Sequence, residues 1–165
     1  MIYNYGQQIW YYGNLVRTTW NDRASGLRSF PQATTTDGYL LNHEDGLDDK
    51  SGDTTVAVNA FVQSSDFDIG DGQQFMLVNR IIPDLAFQGS TASVPSVTFS
   101  IRSRNIPGSD FIESPSITST INRLQDKIDL RARARQMAIR VENTETGVKW
   151  RLGAPRLDAR PDGRR

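Results

Sequence analysis

Ile128-Asp129-Leu130-Arg131-Ala132-Arg133-Ala134-Arg135-Gln136-Met137-Ala138-Ile139-Arg140-Val141 is the stretch that decides the fold. Its first half alternates without interruption. Ile128, Leu130, Ala132 and Ala134 fall on one side, and Asp129, Arg131, Arg133 and Arg135 on the other. A period of two is the signature of a strand, whose successive side chains point to opposite faces; a helix would repeat every three to four residues. Beyond Gln136 the apolar set resumes at Met137, Ile139 and Val141, one position out of phase. Such a slip marks a β-bulge or a strand break.

The same period recurs outward from this run. Val94–Arg104 reads as a strand with Val97, Phe99 and Ile101 on one face and Ser100, Arg102 and Arg104 on the other. Phe75–Ile82 places Phe75, Leu77 and Asn79 opposite Met76, Val78 and Arg80. In Thr54–Gln63, Val56 and Val58 share a face with Ala60 and Val62. Ser64–Gly72 is turn-rich, and residues 105–120 form a polar loop with Pro107-Gly108 and Ser114-Pro115. Ile121–Asp126 has the length of one helical turn. Toward the C-terminus, Val148–Leu152 and Arg156–Arg160 read as strands around Gly153-Ala154-Pro155, with a polar, exposed tail over 161–165.

The N-terminal part is aromatic. Ile9-Trp10-Tyr11-Tyr12 and Leu15–Trp20 flank Gly13-Asn14, which reads as a hairpin turn. Asn21–Gly26 reads as a loop, and Tyr39–Leu41 as a short strand after Asp37-Gly38. The acidic segment His43–Asp53 reads as a linker or exposed loop. The expected fold is therefore all-β: a small β segment over 1–50 and an antiparallel β-sandwich over 54–165. The expected sandwich core contains Val56, Val58, Phe75, Leu77, Val97, Phe99, Ile101, Met137, Ile139, Val141, Trp150 and Leu152.

The chain has 165 residues, enough for one domain or a domain with part of a neighbour. It has no cysteine, which excludes disulfides, thiolate metal sites and Cys nucleophiles. No apolar run approaches the roughly 18 residues of a membrane helix, and the first residues lack the pattern of a signal peptide, so no membrane insertion is expected. Net charge is zero but segregated. Residues 1–87 hold five Arg/Lys against eleven Asp/Glu, a net of −6; residues 88–165 hold fourteen against eight, a net of +6. Two explanations stand: chance segregation on one surface, or head-to-tail complementarity between subunits.

Motifs for bond chemistry are sparse. His43 is the single histidine and sits in His43-Glu44-Asp45-Gly46, a solvated loop by its composition. Asp66-Phe67-Asp68-Ile69-Gly70-Asp71-Gly72 superficially resembles a calcium loop, but position 77, where the downstream glutamate belongs, is Leu. There is no phosphate-binding Gly-rich loop, nucleophile elbow or His-Glu-Xaa-Xaa-His. No catalytic residue, metal ligand or cofactor is assigned. The arginine row Arg131, Arg133 and Arg135 is the most suggestive charged feature, its groups about 7 Å apart on one strand face. Together with Arg102 and Arg104 it is a candidate contact for a partner subunit or for DNA, or else a solvated face. Trp10, Tyr11 and Tyr12 are a candidate stacking platform for a glycan.

The C-terminal run has a further property. Arg133–Glu142, Trp150-Arg151-Leu152-Gly153, Arg156-Leu157-Asp158 and Arg160-Pro161-Asp162-Gly163-Arg164-Arg165 together resemble the ending of tail structural proteins of short-tailed bacteriophages. Phe67–Gly72 followed by Arg80-Ile81-Ile82-Pro83-Asp84, and Trp10-Tyr11-Tyr12-Gly13 with Arg17-Thr18-Thr19-Trp20, resemble the same family. The resemblance implies a tail tube or nozzle-type virion protein, with a β-propeller and an attached β-sandwich, forming rings around the DNA channel. Members of that family are several times longer, so the chain resembles their C-terminal part, starting in a propeller-blade-like segment. The implied partners are other copies of the chain, other tail proteins and, non-specifically, packaged DNA. The implied location is the virion, assembled in the host cytoplasm. The rival expectations are a glycan-binding β-sandwich of a phage tail or adhesin and, behind it, a polysaccharide-degrading tail enzyme.

Overall fold

A computed structural model describes residues 1–22, 29–70, 72–112, 118–122 and 126–164. The described residues form strands, turns and irregular segments with no helix, so there is none long and apolar enough to cross a membrane. The fold is all-β and antiparallel throughout. Contacts divide it into two units, Met1–Gly46 and Leu47–Arg165.

In the first unit, β1 (Ile2–Asn4) pairs with β2 (Ile9–Tyr11). The turn between them is set by Asn4, whose side-chain oxygen accepts the Gln7 N–H at 3.1 Å. This corrects the hairpin expected at Gly13-Asn14. A two-residue turn of that type needs positive φ at both positions; Gln8 has φ 56°, whereas Gly13 and Asn14 are not in that region. β3 (Thr19–Asn21), β4 (Gln32–Thr34) and β5 (Leu40–Asn42) form a separate meander. Thr34 anchors it through hydroxyl contacts to Thr18 at 2.7 Å and Thr19 at 2.6 Å. β4 was not foreseen, since Pro31 and flanking polar residues mask a strand whose only buried apolar side chain is Ala33. The loop expected at Asn21–Gly26 lies outside the described residues from Arg23 onward.

The second unit begins with β6 (Asp48–Asp49) paired to β7 (Val56–Ala57). The acidic segment is therefore not loop throughout: the Asp48 carboxylate accepts the Gly147 N–H at 2.7 Å. Then follow β8 (Ala60–Gln63), β9 (Gln74–Ile82), β10 (Leu85–Ala86), β11 (Ser96–Arg104), β12 (Thr118–Asn122), β13 (Ile128–Ala134), β14 (Gln136–Asn143), β15 (Arg151–Leu152) and β16 (Arg156–Arg164). Two sheets make the sandwich, one in the order β12-β11-β14-β8 and one in the order β13-β9-β16. The phase slip in the opening stretch is a strand break. β13 lies in the three-stranded sheet, Arg135 is the one residue between, and β14 enters the four-stranded sheet.

The core joins Val97, Phe99, Ile101, Ile121, Met137 and Val141 of one sheet to Met76, Val78, Ile81, Ile128, Ala132 and Ala134 of the other. Ile139, Trp150 and Leu152 pack against it partly buried. Val56 and Val58 do not join it: each is 49% exposed, as is Val62 at 43%. The single strand expected over Thr54–Gln63 is two, β7 paired with β6 and β8 at the end of the four-stranded sheet, with Val58 in neither. In β9 residues 75–78 are all buried, but Met76 and Val78 are the ones that join the sandwich core; Phe75 and Leu77, expected there, are buried on the opposite face of the sheet, the face of Arg133.

Three further expectations are corrected. Ile121 and Asn122 are in β12, opposite Val97 and Ser96, and not in a helical turn; residues 123–125 of that turn are outside the described residues. Val148–Leu152 keeps a ladder only at Arg151–Leu152, because the Ser90 hydroxyl takes up both the N–H and the C=O of Lys149, each at 2.9 Å. The polar tail continues β16 to Arg164, beside Gln74 of β9.

Candidate functional site

The arginine row of β13 does not stand free. Arg133 lies 4.1 Å from the Phe75 ring centroid, donates from Nε to the Asp162 carboxylate and from Nη2 to the Asp162 carbonyl at 3.1 Å. Arg135 lies 5.4 Å from the same ring. Stems and guanidinium groups thus cover Phe75, which explains how a side chain on the outer face of the sheet comes to be buried. Arg131, on the same strand, is exposed and makes no ion pair among the described residues.

Arg102 and Arg104 lie on the outer face of the other sheet. They flank the Phe111 ring, with centroid distances of 5.0 and 4.8 Å. Arg102 donates to the Gln63 amide oxygen at 2.9 Å, and Arg104 is ion-paired with Asp66. Nearby in register, Arg140 pairs with Glu142 at 2.9 Å and stacks on Phe61 at 3.8 Å. The two arginine groups, both candidate contacts, sit on different sheets. Phe111, Arg140 and the Arg80–Asp129 pair (2.8 Å) were not foreseen. Each depends on a cross-strand or loop contact that periodicity does not report. The Arg80 hydrogen bond holds the Asp129 carboxyl below its usual range.

Asp66 of the calcium-like loop is committed to Arg104, and Phe67 bridges Met137, with N–H···O distances of 2.8 and 3.0 Å. Asp71 of that loop lies outside the described residues. Among the described residues no three acidic or histidine side chains gather in a cation-binding group. A shallow cavity of about 340 Å³ between Ile82, Leu85, Phe87, Ile121 and Asn122 holds one carboxyl group, that of Asp126.

In the first unit the aromatic residues group differently from the expected Trp10-Tyr11-Tyr12 set. Tyr3 and Trp10 are opposite each other in register, with ring centroids 4.8 Å apart, and Tyr5 stands edge-on to Tyr3 at 5.2 Å. Trp10 is 66% and Tyr5 86% exposed. Tyr11, next to Trp10 on the strand, takes the opposite face and donates its hydroxyl to the Gln7 side chain at 3.0 Å. Trp10, Tyr11 and Tyr12 are adjacent in sequence, whereas Tyr3 joins Trp10 only through the pairing of β1 with β2.

His43 is an acceptor. Arg17 Nε donates to His43 Nε2 at 3.0 Å, and the Trp20 ring is 4.8 Å away. Partial burial and then the Arg17 charge lower its pKa, against a smaller opposing effect of Glu44. The neutral imidazole is the form that fits, so its stabilising contribution is complete above about pH 6.5, the free-histidine value, and is lost as pH falls below it. An NMR titration of the His43 ring in the folded chain is expected to show a midpoint below that of a histidine peptide. A midpoint above it would refute the acceptor role.

The most informative contacts are between segments distant in sequence. Asp84, at the end of Arg80–Asp84, accepts the Gly153 N–H on its carbonyl at 2.8 Å and the Ala154 N–H on its carboxylate at 2.9 Å. A Cβ on Gly153 would fall inside van der Waals contact of that carboxylate. Phe67 and Met137 make the second such lock. No model of a known protein family and no curated protein matches the sequence. The contacts themselves must therefore carry the functional reading. In a double-mutant cycle of Gly153→Ala with Asp84→Ala, a coupling of about 1 kcal/mol is expected, because alanine displaces a carboxylate that is absent in the second background. Additive losses in urea unfolding would show that the two residues do not form a lock.

Proposed function

We propose that the chain is a non-catalytic structural component of a bacteriophage tail, of tube or nozzle type, held in a homo-oligomer by subunit contacts around the DNA channel. The observation that carries this reading is where the phage-like motifs lie. Arg80–Asp84 meets Trp150–Gly153 through Asp84 and Gly153, and Phe67 meets Met137 of the Arg133–Glu142 run. The motif residues of the second unit thus hold that unit together, while Trp10–Gly13 and Arg17–Trp20 lie in the first unit. A substrate site would instead gather polar groups around a cleft. In this reading the β3-β4-β5 meander supplies three strands of a propeller-like blade, which has four. The exposed Arg131 faces a neighbouring subunit or passing DNA phosphates.

Immunogold labelling of phage particles from the producing host, with an antibody to this chain, tests the proposal. Gold is expected along or at the end of the tail of intact virions, and particles free of label would overturn it. One observation favours a second reading. The Tyr3–Trp10 pair, with Trp10 exposed and Tyr3 half-buried, in a stretch from Met1 to Val16 without a charged side chain, suits stacking on a neutral sugar ring. Hits on a glycan array that vanish in Trp10→Ala would favour that alternative.

A further inference from the structure

The edges of the sandwich are not equally protected. An edge strand exposes unpaired N–H and C=O groups, and monomeric proteins blunt such edges with charges, prolines and bulges. β13 carries Asp129, Arg131 and Arg133 and has a register shift between Asp129 and Ala132. β16 carries five charged residues and Pro161, with register shifts at Asp158/Ala159 and Pro161/Arg164. β8, Ala60-Phe61-Val62-Gln63, has no charge and no proline, and pairs with β14 in unbroken register; the same holds of β12 at the other edge of that sheet, and the exposed valines single out β8. Exposed Val58 and Val62 lie on it and just before it.

Charge then says what covers this edge. Residues 47–70 contain five aspartates and one lysine, a net of −4. Asp48 and Asp66 are used internally. Asp53 and Asp68, on either side of β8 in sequence, make no ion pair among the described residues. On β16 the exposed Arg156, Arg160 and Arg164 likewise have no ion pair among the described residues. Acids without an ion pair that flank an unprotected apolar strand in sequence, and arginines without one along a protected edge, are complementary.

We infer that the β8 edge of one copy receives the β16 edge of the next. Val58 and Val62 are buried in the contact, and Arg156, Arg160 and Arg164 answer Asp53 and Asp68. Because the two edges differ, the contact is heterologous and propagates from copy to copy. The exposed arginines of two β16 edges would repel one another, which disfavours pairing of β16 with itself. The inference rests on the assembly reading and names the surface that performs it.

Sedimentation velocity on the purified chain provides the test, with two variants, Val62→Glu and the double variant Arg156→Glu/Arg160→Glu. The unaltered chain is expected to form species larger than a dimer as its concentration rises, and less so as salt is raised from about 0.1 to about 1 M. Each variant alone is expected to associate at least about tenfold more weakly. Mixed together, they are expected to form a dimer that does not grow, since one retains a working β16 edge and the other a working β8 edge. That dimer would also show that both variants are folded. An unaltered chain that stays monomeric, variants that assemble like it, or a mixture that stays monomeric would each overturn the inference. Gold-labelled tails combined with any of these results would remove the β8–β16 contact and leave the tail assignment standing.

Discussion

Gly147→Ala is expected to cost the 47–165 unit about 3 kcal/mol, a sum of left-handed backbone strain, steric overlap and weakened hydrogen bonds. Gly147 is buried, with φ +70°, where a Cβ is disfavoured. The added carbon would also lie 2.6 Å from Thr91 Oγ1 and 3.0 Å from the Ala92 backbone N. The backbone atom cannot rotate away. Its own N–H donates to the Gly147 carbonyl at 3.0 Å, as that of Thr91 does at 2.8 Å. On the other side the Gly147 N–H is held by Asp48. One residue therefore ties the β6 segment, the 90–92 loop and the turn after β14 together. Urea unfolding followed by circular dichroism is the appropriate measurement. Thr91→Ala in the alanine background should restore only part of the loss, because the Ala92 contact and the φ penalty persist. A loss under about 1 kcal/mol would mean that the junction yields easily.

What could be read in the sequence follows from which interactions have a period. The all-β character and the inward sets Val97-Phe99-Ile101 and Ile128-Ala132-Ala134 are consequences of alternation, and they stand in the structure. Alternation also located the break at Arg135–Gln136, though not that the chain changes sheets there. It cannot distinguish a strand packed in the sandwich from a short exposed pair or a connecting residue, so the pattern puts Val56, on β7, and Val58, between β7 and β8, in a core they do not enter. Nor could it distinguish a solvated arginine row from one laid over an aromatic ring. Arg133 and Phe75 are 58 positions apart in the chain and meet only because β13 and β9 are neighbours. The aromatic site was half legible: Trp10 is there, while Tyr3 and Tyr5 join it through a turn set by Asn4 and Gln7 and not by the Gly13-Asn14 pair.

The contrast between a covered and an uncovered position of the same alternating pattern gives the largest expected effect. Phe99→Ala should destabilise the 47–165 unit by about 3–5 kcal/mol. Phe99 is 1% exposed on the central strand β11, between Val141 of β14 and Ser119 of β12. Truncation there leaves a cavity walled on both sides by strands that are fixed by their own ladders and cannot collapse into it. Val58→Ala should change the stability of the isolated chain by no more than about 0.5 kcal/mol, since half of that side chain is already in water. The two variants, unfolded in urea at low protein concentration, should thus differ by several kcal/mol although both remove an apolar side chain from a strand-like run. If Val58→Ala proved as costly as a core truncation in the monomer, the β8 edge would be covered within a single chain. It would then have no apolar surface to offer a second copy. If instead Val58→Ala leaves the monomer intact and weakens only self-association, the same valine is surface in one copy and interior in the assembly. Only an interface gives one residue those two properties.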